Sequence, residues 1–294
     1  MSLPVHEFIP FLARKPAQIA KGPLAIILIE DDKAVAATLS HHLARGFRHI
    51  LALSDRPLTL TEAELAPLAG KVTNLILNTR RPDAHVDAVN AVISAVPEAT
   101  WLYYCYNAEF LFYPFCEARS VGEMLGFHTE ERRTAMLSYV VDLYAGDLKQ
   151  HPDAVDLAQP LFDRTGYYAL GRKGPDGHPL ERQLDFHGGL RWRYEELLPP
   201  DRRRIDRIAL FKAAPGLRLL PDHRFSVEEY NTYSCPWHHN ITAAIASFRV
   251  AKALVGNPGS RDHVHDMTWR NSHPFRWHSE QLMELGLMEP GQWF

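Results

Sequence analysis

The run Leu24–Glu30, LAIILIE, is unbroken aliphatic chain that ends in acid. Six apolar residues in a row lack the alternation of a half-exposed strand and are far too few to cross a bilayer. They fit a strand buried on both faces, which is how parallel sheets are built. The chain then alternates. Val35, Leu39, Leu43 and Phe47 recur at helical spacing, and Gly46 can close that helix. His49–Ser54 reads as a second strand, Val72–Asn78 as a third after an acidic helical stretch from Thr61, and Thr100–Cys105 as a fourth. Between the last two, Val86, Val89, Ile93 and Val96 mark a helix stopped by Pro97. Strands alternating with helices of this length predict an α/β domain with a mostly parallel central sheet.

The second half is less regular. Residues 129–145 are read as a helix through Met136, Val140 and Leu143, and 241–255 as a late helix through Ile241, Ile245, Phe248 and Leu254. The intervening Asp147–Pro200 stretch, rich in Gly, Pro and charge, predicts loops and short strands. The expectation is a single domain over 1–294, with a regular α/β half over 22–115 and an irregular half with a C-terminal extension over 116–294.

Composition narrows the function. At 46% apolar and 23% charged over 294 residues, the chain can bury a sizeable core. A net charge of −3 gives no basic excess for nucleic acid. No integral membrane segment is expected. The N-terminus lacks the charged-then-apolar order of a secretory signal, so the cytoplasm is the expected location. Cys105, Cys116 and Cys235 form neither a disulfide framework nor a CxxC zinc motif.

Ligands of open α/β sheets bind beyond the carboxyl ends of the strands. Those ends carry Glu30-Asp31-Asp32, Ser54-Asp55, Asn78 and Tyr106-Asn107-Ala108-Glu109, an acidic and amide-rich rim suited to a ribose, a base edge or a hard cation. Asp31 and Asp32 read more simply as complements to the following helix dipole. A phospho-accepting receiver domain fails on its own chemistry, because the third strand ends in Asn78 and no lysine lies between Lys71 and Lys149.

The segment EDDKAVAATLSHHLARGFRHILALSDRP, from Glu30 to Pro57, resembles the opening of family 2-like glycosyltransferases of the GT-A fold, with Leu39, His42, Gly46, Phe47, Ile50 and Asp55 at matching offsets. WLYYCYNAEFLFYP, from Trp101 to Pro114, is similar to the strand and Asp-x-Asp-Glu-Phe-Leu signature of the same enzymes. It departs where the two aspartates fall, at Tyr106 and Ala108; a one-residue slip offers Asn107 and Glu109 instead. A third block, 209–253, matches loosely through Lys212, Pro215, Gly216, His223 and Phe248, with Ser247 where the family has a histidine.

The resemblance implies a nucleotide-sugar donor, a glycan or other hydroxyl acceptor, and a divalent cation (Mn2+ or Mg2+) on the donor diphosphate. It would make 22–115 the nucleotide-binding half and 116–294 the acceptor-side half and C-terminal extension. It nominates Glu30, Asp55 and Asn107 for the nucleotide-sugar and Glu109 with His223 for the metal. The acceptor's proton needs a base, for which Asp222 beside His223, or Asp185 in LDFHGGLRWR, is the candidate; Arg191 and Arg193 could meet phosphates. A bacterial enzyme of surface-polysaccharide assembly fits by analogy alone.

The altered metal motif keeps a second reading open, a catalytically inactive relative that binds nucleotide or glycan or acts as a scaffold. A third is a zinc-dependent hydrolase built on His238-His239, Cys235 and Asp262-His263-x-His265-Asp266, although neither histidine group has the helical zinc arrangement. The aromatic tail Trp269–Trp277 suits an acceptor lip or a homodimer contact, and the sequence leaves both open.

Overall fold

A computed structural model describes residues 3–232 and 240–293. Cys235, His238 and His239 lie outside the described residues. In chain order the elements are β1 (Val5–Glu7), α1 (Phe8–Ala13), β2 (Leu24–Ile29), α2 (Val35–Ala44), β3 (His49–Ser54), α3 (Glu62–Leu65), β4 (Val72–Ile76), α4 (Ala84–Ala95), β5 (Trp101–Tyr106), β6 (Glu109–Phe112) and α5 (Val121–Glu130). There follow β7 (Ala135–Tyr144), β8 (Leu161–Asp163), β9 (Tyr168–Lys173), β10 (Pro179–His187), α6 (Gly189–Arg193), β11 (Asp206–Lys212), β12 (Ala243–Ser247), α7 (Arg249–Gly256), β13 (Ser272–Pro274) and α8 (Ser279–Glu284).

The chain divides into two compact units. The first takes residues 1–108, 116–136 and 208–231; the second takes 109–115, 137–207 and 232–294. In the first unit the strand order is β1-β4-β3-β2-β5-β11. All pairs are parallel except β5 with β11, where Leu210 faces Tyr103. Every residue of β2 and β3 is buried, as an aliphatic run covered on both faces by helices requires. Leu39, His42 and Phe47, the residues that carried the family resemblance, are core residues; the His42 ring stacks on Tyr103 at 5.2 Å.

In the second unit β12 lies between β7, to which it is parallel, and β6, to which it is antiparallel. The strands β9 and β10 form a separate antiparallel hairpin. Two helix expectations are corrected here. Residues 135–144 form a strand buried on both faces, so Met136, Val140 and Leu143 match helical spacing only because nearly every residue of the run is apolar. The helix of this region lies earlier, over Val121–Glu130, where Ser120 and Glu123 form a capping box. Residues 243–247 are likewise strand, and the helix begins at Arg249.

Candidate functional site

The first unit's sheet reverses its winding between β2 and β5. From β2 the chain steps outward through β3 to β4, and then returns to β2's other side as β5. Such a switch point leaves a crevice beyond the strand ends, where ligands of open α/β sheets bind. Here Glu30 directly follows β2 and Asn107 directly follows β5.

Asn107 is fully buried and spans the crevice floor. Its Oδ1 accepts the Glu30 backbone N–H at 2.9 Å, and its Nδ2 donates to Asp31 Oδ1 at 2.6 Å and to the Lys33 carbonyl at 2.9 Å. Its side chain is thereby committed to holding the turn after β2, which corrects its assignment as a direct ligand of the nucleotide-sugar. Asp31 is explained by the same bonds.

Glu30 is half-buried on this rim and Asp55 is exposed beside it. Between them stands Arg80, a residue the sequence pattern did not single out. Its Nε donates to the Glu30 carbonyl at 2.8 Å and lies 3.7 Å from Asp55 Oδ2. Thr79 ties the same loop down through a 2.6 Å bond to the Ile29 carbonyl. Arg80 is thus tethered through Nε, with its side chain 58% exposed. A guanidinium presented in this way can meet an anion with its remaining N–H groups.

His223 lies in the same unit, on the loop after β11, with a left-handed backbone (φ 64°). Its Nδ1 is 2.9 Å from the Tyr104 hydroxyl, and its ring packs 4.6 Å from that of His85 on α4. Asp222 beside it is half-buried and ion-paired with Arg224.

The remaining predicted residues belong to the second unit. Glu109 is fully buried, and its carboxylate is gripped by Arg207: Nη1 to Oε2 at 2.7 Å and Nη2 to Oε1 at 3.1 Å. Ser247 faces it in register across β6 and β12 and donates to Oε1 at 3.0 Å. Both carboxylate oxygens are therefore engaged, and Asn107 has spent its only side-chain oxygen. The pair does not fit a divalent cation, which draws its ligands from available oxygens. That corrects Glu109 as a metal ligand. Among the described residues no three His, Cys, Asp or Glu side chains group to hold a metal.

Asp185 on β10 accepts from Arg172 at 2.7 Å and Arg204 at 2.9 Å. Partial burial pushes its carboxyl up, but the two guanidiniums outweigh it and hold it below the usual carboxylate range. A carboxylate so stabilised is a poor proton acceptor, which corrects Asp185 as the base.

Arg191 and Arg193, read as phosphate contacts, are instead half-buried partners of buried strand aspartates. Arg191 lies 3.5 Å from Asp142 and Arg193 lies 3.1 Å from Asp163. Asp163 also receives the Tyr144 hydroxyl at 2.6 Å and Trp269 Nε1 at 2.7 Å. The Gly188-Gly189 step makes this packing possible. A Cβ on Gly189 would sit 3.0 Å from Asp142 Oδ2, at a left-handed φ of 60°. Burial pushes the Asp142 carboxyl up to about 6 despite the pull of Arg191. The sequence signal for this cluster was a lone acid inside each of two apolar strands.

No family model matches the chain, and no curated protein matches its sequence. Among solved structures it is similar to S. aureus TarS 1–349, at 12% identity and a TM-score of 0.27 over 40% of this chain and 35% of that one. The complex of the same TarS fragment with UDP overlaps to the same extent. HddC from Yersinia pseudotuberculosis is similar over 84% of this chain and 83% of that one, at 7% identity and a TM-score of 0.29. The chain therefore spans about a third of the TarS fragment that it matches. Likenesses at this level assign neither chemistry nor partners to the chain.

Proposed function

We propose that the chain is a glycosyltransferase-type protein that takes a nucleotide-sugar donor at the switch point of its parallel sheet. The observation that carries this reading is the rim itself, with Glu30 and Asp55 on adjacent strand ends, Arg80 tethered between them and Asn107 fixing the turn beneath. Carboxylates suit the hydrogen-bond donors of a base and ribose, and a guanidinium suits an anionic phosphate. The sequence resemblance to family 2-like transferases supports the same placement of Glu30 and Asp55.

Transfer would form a bond from the acceptor hydroxyl oxygen to the anomeric carbon as the bond from that carbon to the nucleoside diphosphate breaks. The hydroxyl proton passes to a base, a role for which Asp222 beside His223 is retained. The second reading, a non-catalytic nucleotide-binding relative, is favoured by one observation: Glu109 and Asn107 are spent on internal bonds.

The test is calorimetric titration of the purified protein with UDP, GDP, CDP and dTDP. One of these should bind, and Arg80→Ala and Asp55→Asn should each weaken it by about tenfold, the scale of one charged contact. No binding of any nucleotide overturns the donor site. Binding without transfer or hydrolysis of the corresponding nucleotide-sugars favours the non-catalytic relative.

A further inference from the structure

The two places where this sequence departs from the transferase pattern are far apart along the chain. One is the stretch just before Glu-Phe-Leu; the other is Ser247, some 138 residues later. In the second unit Ser247 meets Glu109, the first residue of Glu-Phe-Leu. Ser247 is the register partner of Glu109 across β6 and β12, and its hydroxyl donates to the Glu109 carboxylate. The third member of the group is Arg207, whose guanidinium binds both oxygens of Glu109. The side chains of Glu109 and Arg207 are 0% and 3% exposed.

A buried carboxylate must be neutralised, because an isolated charge in a low-dielectric interior costs several kcal/mol. A cation bound to Glu109 would do this, and so does a bidentate guanidinium. Arg207 already does so in a fork that engages both carboxylate oxygens. A divalent cation binding Glu109 would have to displace the guanidinium from them.

We infer that Arg207 is the resident cation of the Glu109 carboxylate, filling the role that the resemblance gives to a metal on Glu109, and that nucleotide binding by this protein needs no divalent ion. The inference rests on the transferase reading only for its nucleotide arm. It also recasts Glu109 as a structural residue that joins β6, β12 and the start of β11.

Two measurements on the intact protein test it. In the first, Mn2+ alone is titrated into wild type and Glu109→Gln by calorimetry. The two proteins should give the same isotherm, and a Mn2+ site present in wild type and lost in Glu109→Gln overturns the inference. In the second, the nucleotide that binds wild type is titrated in EDTA and again in Mn2+. Its Kd should agree within about twofold, and an affinity at least about tenfold weaker in EDTA overturns the inference. Should no nucleotide bind, the transferase reading fails while the Mn2+ titration still decides the role of Arg207. Should Glu109→Gln not fold, as loss of one partner of a buried pair can cause, the EDTA comparison needs wild type alone.

Discussion

Asp142 gives the sharpest quantitative test of the second unit. Its carboxyl is wholly buried, faces Arg191 from α6 and the carboxylate of Asp163 on β8, and titrates at about 6 rather than 3.8. The folded state therefore holds this proton more tightly than the unfolded chain. At about 1.4 kcal/mol per pH unit of separation, the ionised form costs the fold about 3 kcal/mol at pH 7. Most of that cost disappears as pH falls through 6 toward 4, so Asp142 makes the protein more stable on acidification. His49 and His128 act in the opposite direction. Burial lowers both to about 4, so stability is lost as pH falls from 6.5 toward 4 while the unfolded chain takes up protons. The wild-type profile alone mixes these effects, and a difference isolates one. Asp142→Asn keeps the shape, removes the titration and leaves both histidines in place. Wild type and variant should be unfolded in urea at pH steps between 7.5 and 4. Wild type should gain on the variant by about 2 kcal/mol as pH falls across this range, the rest of the cost lying below pH 4. A difference that is flat with pH, or one in which wild type loses ground in acid, refutes the buried and elevated carboxyl.

Other outcomes follow from single contacts. Arg80→Ala should leave the melting temperature within about 2 °C of wild type, since an exposed guanidinium contributes little stability, while weakening nucleotide binding; a large loss of stability would make Arg80 structural. Asn107→Asp puts an oxygen against Asp31 Oδ1 and the Lys33 carbonyl in place of the Nδ2 donor. It should cost about 2–4 kcal/mol and abolish nucleotide binding, read by thermal melting and calorimetry. Asp185→Asn should lower stability by about 1–3 kcal/mol by leaving Arg172, whose side chain is 5% exposed, with one fewer anion. Any transferase turnover of the surviving folded protein should persist; its loss with the fold intact would restore Asp185 as the base.

The parallel half of the fold was legible because burial on both faces leaves a plain mark, aliphatic runs such as Leu24–Ile29 with helical periodicity between them. The same property hid β7. A strand buried on both faces has no alternation, and Ala135–Tyr144 offers apolar residues at any spacing one looks for. The rim acids were legible from their place at strand ends. What they touch was not. Asn107 became a clamp because its three main partners lie more than seventy residues away in sequence. Arg207 was invisible for the same reason, as nothing in its neighbours announces a carboxylate 98 positions upstream. Arg80 carries no mark of its place on the rim, since the Glu30 carbonyl it binds lies 50 positions upstream.

The interleaving of the two units also bears on how the chain can be divided. It passes between them five times, after residues 108, 115, 136, 207 and 231, so no single cut releases either one intact. A nascent chain has made β5 long before residues 208–212 emerge to cover its free edge, and until then that edge offers unpaired backbone to any other strand. Cutting after residue 207 would make this transient state permanent. Truncation studies of this protein are therefore poorly designed around halves of the sequence.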